Sequence, residues 1–116
     1  MDRKKCSTSI IYKATCLVTN RVYVGKTNYT LEYRIYRHMD SVKRGSKYYF
    51  HSALRKYGLD NFVWTIIEEG ISDQNIVSER EIHWIKELKT KTPQGYNLTD
   101  GGEGAPGYKH SEDTIE

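Results

Sequence analysis

Two short apolar segments that each carry a tyrosine, Ile10-Ile11-Tyr12 and Tyr23-Val24-Gly25, are separated by the turn residues Thr19-Asn20. β-Branched and aromatic residues on both sides of a turn predict a β-hairpin, with strands over residues 9–16 and 21–26. Alternation along the first strand puts Ile10, Tyr12 and Ala14 on one face and Ile11, Lys13 and Thr15 on the other.

The rest of the chain reads as helices and one more strand. Thr30 is the expected N-cap of a helix over about 31–44, with Gly45 as its stop. Leu31, Ile35, Met39 and Val42 form its expected buried stripe, and Arg34 and His38, one turn apart, lie at the stripe's edge. A second helix is expected over about 49–57, with Phe50, Leu54 and Tyr57 inward and Gly58 ending it. The continuous apolar run from Phe62 to Glu68 predicts a third strand buried on both faces. Ser72 or Asp73 then caps a helix over about 73–89.

On that last helix Val77, Glu81, Trp84 and Leu88 share one face, while Glu79 points the opposite way. A carboxylate in an apolar stripe is costly unless a cation or hydrogen bonds satisfy it. Glu81 is therefore either ion-paired or a metal ligand.

A length of 116 residues suggests one domain, and 37% hydrophobic against 28% charged residues is a soluble globular balance. No apolar run approaches the ~20 residues of a membrane span, and Asp2-Arg3-Lys4-Lys5 does not lead into a signal-peptide core. Cys6 and Cys16 form no framework or metal pair and read as reduced thiols of a cytoplasmic protein. The net charge of +3 conceals an acidic tail. Without residues 110–116 the chain has 18 basic and 12 acidic residues, a mild bias towards polyanions. Tyr29, Tyr33, Tyr36 and Tyr48-Tyr49, interleaved with Arg34, Arg37, Lys43, Arg44 and Lys47, suit a surface against a nucleic-acid backbone; partial core packing is the plainer reading of any one tyrosine.

After Asp100 the composition changes: Gly101, Gly102, Gly104 and Gly107 with Pro106 read as a flexible linker. The expected division is a domain over 1–100 and a tail over 101–116.

In order and spacing these positions resemble the GIY-YIG endonuclease family, from residue 10 to about 100. Ile10-Ile11-Tyr12 stands for the first triplet and Tyr23-Val24-Gly25 for the second. Glu79-Arg80-Glu81, Trp84-Ile85-Lys86-Glu87-Leu88 and Gly95-Tyr96-Asn97 resemble the C-terminal segment of phage and intron-encoded homing endonuclease domains. Ile10 departs from the glycine that usually opens the first triplet. Gly107-Tyr108-Lys109-His110-Ser111-Glu112 resembles the opening of a nuclease-associated DNA-binding module, here cut short.

The resemblance implies a small α/β (α+β) fold, a three-stranded antiparallel sheet flanked by helices. It implies hydrolysis of double-stranded DNA by a monomer with one divalent metal, Mg²⁺ or Mn²⁺, in a bacterial or phage-infected cell. Carried over by position, Tyr12 and Tyr23 are the active-site tyrosines, Arg34 and His38 the helix pair, Glu81 the metal ligand and Asn97 a supporting polar residue. Lys26, Arg37 and Lys47 are expected on DNA phosphates.

These residue types suit the chemistry. One carboxylate, waters and phosphate oxygens satisfy Mg²⁺. Arg34 can hold a phosphate oxygen with two parallel donors at any usable pH. Tyr12 can take a proton from water if Arg34, a metal and His38 favour its phenolate, since a free phenol has a pKa near ~10. His38 can instead accept the proton, and the sequence leaves both open. His51, His83 and His110 have no expected role. The alternative to an endonuclease is a non-catalytic DNA-binding or interaction module on the same fold.

Overall fold

The computed structural model describes residues 5–101. Its elements are β1 (Ser9–Cys16), β2 (Val22–Thr27), α1 (Leu31–Lys43), α2 (Tyr49–Tyr57), a 3-10 turn (Leu59–Asn61), β3 (Phe62–Ile71) and α3 (Gln74–Glu87). The strands form one antiparallel sheet in the order β2-β1-β3. The expected linker and module start lie outside the described residues, apart from Gly101, which is buried against Ile85 and Glu81 of α3.

The alternation of β1 sorts the two cores. Tyr12, Ala14 and Cys16 join Phe50, Ala53, Leu54, Phe62 and Tyr96 on the face covered by α1 and α2. Ile11 joins Val24, Val77 and Ile85 on the face covered by α3. The hairpin register sets Tyr12 opposite Gly25 and Ala14 opposite Tyr23. Thr30 and Asp73 cap α1 and α3 through their side-chain oxygens, relieving backbone donors that each helix start leaves unpaired.

Two expectations need correction. The buried side chains of α1 are Tyr33 and His38, while Leu31, Met39 and Val42 pack only partly. His38 is at the centre of the packing and not at the edge of a stripe. β3 is an edge strand of the sheet, with Val63 47% and Ile66 43% exposed, and is not buried on both faces. Its pairing with β1 slips between Ile11 and Tyr12, which breaks the alternation of its faces. Apolar content alone could not separate a central strand from this irregular edge.

After α3 the chain returns along the outer edge of β2. The Tyr96 amide donates to Val22 O at 3.0 Å. Gly95 is required there, because a Cβ would lie 2.5 Å from Thr90 Cα. No helix among the described residues is long and apolar enough to cross a membrane.

Candidate active site

Tyr12 is wholly buried in the central strand, and its ring lies over its cross-strand partner Gly25. A Cβ on Gly25 would come within 2.5 Å of Tyr12 Cζ and closer still to Oη. The glycine that ends the second triplet is thus dictated by the tyrosine that ends the first. Arg34 and His38, one turn apart on α1, both reach the phenol. His38 Nε2 is 2.8 Å from Tyr12 Oη, and Arg34 Nε donates to the same oxygen at 3.2 Å. Tyr23 lies beside them, stacked on Phe50 at 4.1 Å and edge-on to the His38 ring at 5.7 Å.

Burial sets the electrostatics. It pushes the Tyr12 phenol above its ordinary value, and the charge and hydrogen bond of Arg34 pull the other way without cancelling it. Burial, reinforced by Tyr12, holds Tyr23 well above its ordinary value. Burial, then the charge of Arg34, then His51, bring His38 down to about 2, so its imidazole is neutral at working pH. Burial opposes the charge of Arg34, yet the two phenols hold its pKa above the ordinary value. The protein's own groups therefore do not favour a Tyr12 phenolate. Depth in the core outweighs the neighbouring cation.

Glu81 lies on α3, on the other side of the sheet, and is 7% exposed. Its Oε1 is 3.4 Å from Lys26 Nζ, which also donates to Ser78 Oγ at 3.2 Å. A cation does sit against this carboxylate, and it is a lysine. Lys26, expected on DNA phosphate, is partly buried and pairs with Glu81. Glu81 is tied to β2 through Lys26, the residue after Gly25, whereas Tyr12 packs with α1 and α2 on the opposite face. The charge of Glu81 is felt across the sheet, raising both tyrosines, though less than burial does. Among the described residues no group of three or more His, Cys, Asp or Glu side chains could hold a metal.

Asn97 stands apart from the phenol cluster. Its Oδ1 accepts from the Val24 amide at 2.8 Å and from Thr90 Oγ1 at 2.7 Å, and its Nδ2 donates to Val24 O at 2.9 Å. It straps the edge of β2 between Tyr23 and Gly25, a supporting position rather than one facing substrate. Arg37 is exposed, donates to Tyr33 Oη at 3.3 Å and lines the cleft outside Arg34; Lys47 is exposed on the loop between α1 and α2.

His51, which carried no expected role, is joined to the site. Its Nε2 is 2.9 Å from His38 Nδ1, and its Nδ1 is 2.8 Å from Ser46 Oγ. The contact connects α2 to α1 across thirteen positions of sequence, so helical spacing gives no sign of it.

Comparison with known proteins agrees with this geometry. Residues 8–97 match the GIY-YIG catalytic domain. The chain is 35% identical over 92 residues to intron-associated endonuclease 1 of Enterobacteria phage T4, covering 78% of this chain and 36% of that protein. It is 31% identical over 99 residues to the putative endonuclease segB of the same phage, covering 85% of this chain and 40% of the relative. The chain thus spans well under half the length of these curated relatives. Among solved structures, the catalytic domain of intron endonuclease I-TevI, in a mutant form, superposes with a TM-score of 0.71 at 33% identity, covering 81% of this chain and 96% of that domain. A second structure of that domain gives 0.68 at 33% identity, covering 78% and 98%. The fold, the paired tyrosines and the match over most of its length together establish that this chain belongs to the GIY-YIG catalytic domain family.

Proposed function

We propose that this chain is the catalytic domain of a metal-dependent, homing-type DNA endonuclease that hydrolyses phosphodiester bonds. One observation carries the reading: a buried phenol, Tyr12, held between an arginine and a neutral histidine one helical turn apart. A phosphate bound at this site would meet Arg34, with Glu81 holding a divalent cation against it. Double-stranded DNA as substrate is inferred from the relatives, which are endonucleases by name.

Arg34 holds a non-bridging phosphate oxygen and offsets the charge that builds there, already oriented by its bond to Tyr12. Tyr12 Oη takes the proton of the attacking water as its own proton passes to His38 Nε2, the acceptor 2.8 Å away. This order uses a neutral imidazole and avoids a standing phenolate, which burial disfavours. Tyr23 orients the water or the phosphate. Arg37 and Lys47 meet neighbouring DNA phosphates.

Glu81 would supply one hard carboxylate oxygen to a divalent cation, which would take the place beside it that the Lys26 ammonium holds at 3.4 Å. Mg²⁺ or Mn²⁺ held there would neutralise charge on the phosphate. The chain acts as a monomer.

Relaxation of supercoiled plasmid, with Mg²⁺, Mn²⁺ or EDTA, tests the reading. The wild type is expected to nick with either metal and not with EDTA, and Arg34→Ala to fold and not to nick. DNA binding without cleavage under every metal condition would favour the non-catalytic module.

A further inference from the structure

From Tyr12 a chain of polar groups runs towards the surface. Tyr12 Oη meets His38 Nε2 at 2.8 Å, His38 Nδ1 meets His51 Nε2 at 2.9 Å, and His51 Nδ1 meets Ser46 Oγ at 2.8 Å. The inner end is almost wholly buried. His38 is 3% exposed, and the rings of Tyr23, Phe50 and Trp64 lie 5.7, 5.2 and 5.7 Å from it. The outer end is open. Ser46 and His51 line a cleft of about 390 Å³ with Arg34, Arg37 and Tyr48, and His38 and Tyr23 lie at its floor.

A neutral imidazole has one donor nitrogen and one acceptor nitrogen, so fixing one link fixes them all. With Tyr12 O–H donating to His38 Nε2, His38 Nδ1–H donates to His51 Nε2, and His51 Nδ1–H donates to Ser46 Oγ. The Tyr48 amide also donates to that oxygen, at 3.2 Å. In the opposite polarity every arrow reverses, and Tyr12 oxygen becomes an acceptor. One proton moved along each link converts the first state into the second.

We propose that His38, His51 and Ser46 form a proton relay that empties Tyr12 to solvent, with His51 as the positioning residue that fixes the tautomer of His38 and passes its proton outward. The proposal rests on the reading of Tyr12 as the group that takes a proton from water. The step balances. The Tyr12 O–H bond breaks as His38 Nε2–H forms, His38 Nδ1–H breaks as His51 Nε2–H forms, and His51 Nδ1–H breaks as Ser46 Oγ–H forms. The serine's own hydroxyl proton passes to a water in the cleft. The attacking water's proton arrives on Tyr12 Oη as Tyr12's own proton leaves, so Tyr12 ends protonated beside Arg34, and both imidazoles end neutral with exchanged tautomers.

The relay needs no standing imidazolium. That matters because burial and the charge of Arg34 oppose protonation of both rings, with Arg55 adding to this at His51. The other titratable or charged groups around the two rings are Tyr12 and Tyr23 from the sheet, Arg37 on α1 and Tyr48 at the start of α2.

Single-turnover plasmid nicking with Mg²⁺ across pH 6 to 9 tests this, in the wild type, His51→Ala, His51→Gln and Tyr12→Phe. His51→Ala is expected to lower kcat roughly 10- to 100-fold at neutral pH with KM unchanged. Added imidazole should restore much of the rate, because His51 lines the open cleft. His51→Gln can still accept from His38 Nδ1 and donate to Ser46, so it preserves the packing but cannot pass a proton. It should show the same loss, shrinking as pH rises and hydroxide takes over. Wild-type kcat and pH profile in His51→Gln would overturn the relay, as would a His51→Ala loss that imidazole leaves unchanged. Should His51→Ala fail to fold, the glutamine variant decides alone. Wild-type rates in Tyr12→Phe would instead refute the reading of Tyr12, a result separable from failure at His51.

Discussion

Gly25→Ala tests the packing on which the site depends. The new Cβ would lie within 2.5 Å of Tyr12 Cζ, and Tyr12 has nowhere to go. It is 0% exposed, its ring packs against Tyr23 and Trp64, and its hydroxyl is held at 2.8 Å by His38 and 3.2 Å by Arg34. Overpacking of this kind costs about 1–3 kcal/mol, and weakening two hydrogen bonds adds about 0.5–1.5 kcal/mol each. A total near 3 kcal/mol corresponds to a fall in Tm of roughly 10–20 °C for a domain of this size. Nicking should fall with it, because the displaced phenol is the group proposed to take the proton. Thermal unfolding and plasmid nicking measure the two effects. A double-mutant cycle with Tyr12→Leu isolates the cause: with the ring gone, Gly25→Ala should cost little more on top. A Tm within about 2 °C of wild type together with full activity would refute the argument, as would strict additivity in the cycle.

Four further outcomes follow from the same structure. Glu81→Ala should abolish metal-dependent nicking at a small cost in Tm, since Lys26 keeps Ser78 as a partner, whereas Glu79→Ala, at an exposed position, should nick as wild type. Asn97→Ala should lower stability by about 2–4 kcal/mol in urea titrations, because it leaves the Val24 amide unpaired; lost nicking at unchanged stability would give Asn97 a role in the chemistry instead. A His38 that stays neutral when folded, with a value of about 2, takes up its proton only on unfolding. Stability present above the ordinary histidine value near ~6.5 should thus be lost as pH falls below it, by about 1.4 kcal/mol per pH unit, and the slope should flatten in His38→Gln. DNA binding by this domain should be weak and weaken steeply with salt, by about 0.9 log units per phosphate contact for each tenfold rise, as fluorescence anisotropy would report.

The hairpin, its two faces and the caps at Thr30 and Asp73 were legible in the sequence because they are local: alternation, turn chemistry and helix starts involve neighbours in the chain. The meeting of Tyr12, Arg34 and His38 was legible from the family spacing, and Glu81 from its place among apolar residues. The relay through His51 and the lysine against Glu81 were not. Both are contacts between elements, and a lone histidine on α2 or a lysine after a strand looks like any surface residue. The edge position of β3 was hidden for a different reason: an apolar run reports burial only on average, and strand order decides which strand is central. The direction of the Tyr12 shift also depended on depth, which the sequence does not give.

The central claim is that one phosphate meets Arg34 on one side and a divalent cation at Glu81 on the other. Crystals of the domain with Mn²⁺ and a short duplex that resists cleavage, measured at the manganese absorption edge, test it most directly. The account predicts one anomalous peak at the Glu81 carboxylate, with Lys26 moved from it and one phosphate bonded to Arg34. A peak remote from Glu81, or DNA bound with no phosphate reaching Arg34, would contradict it.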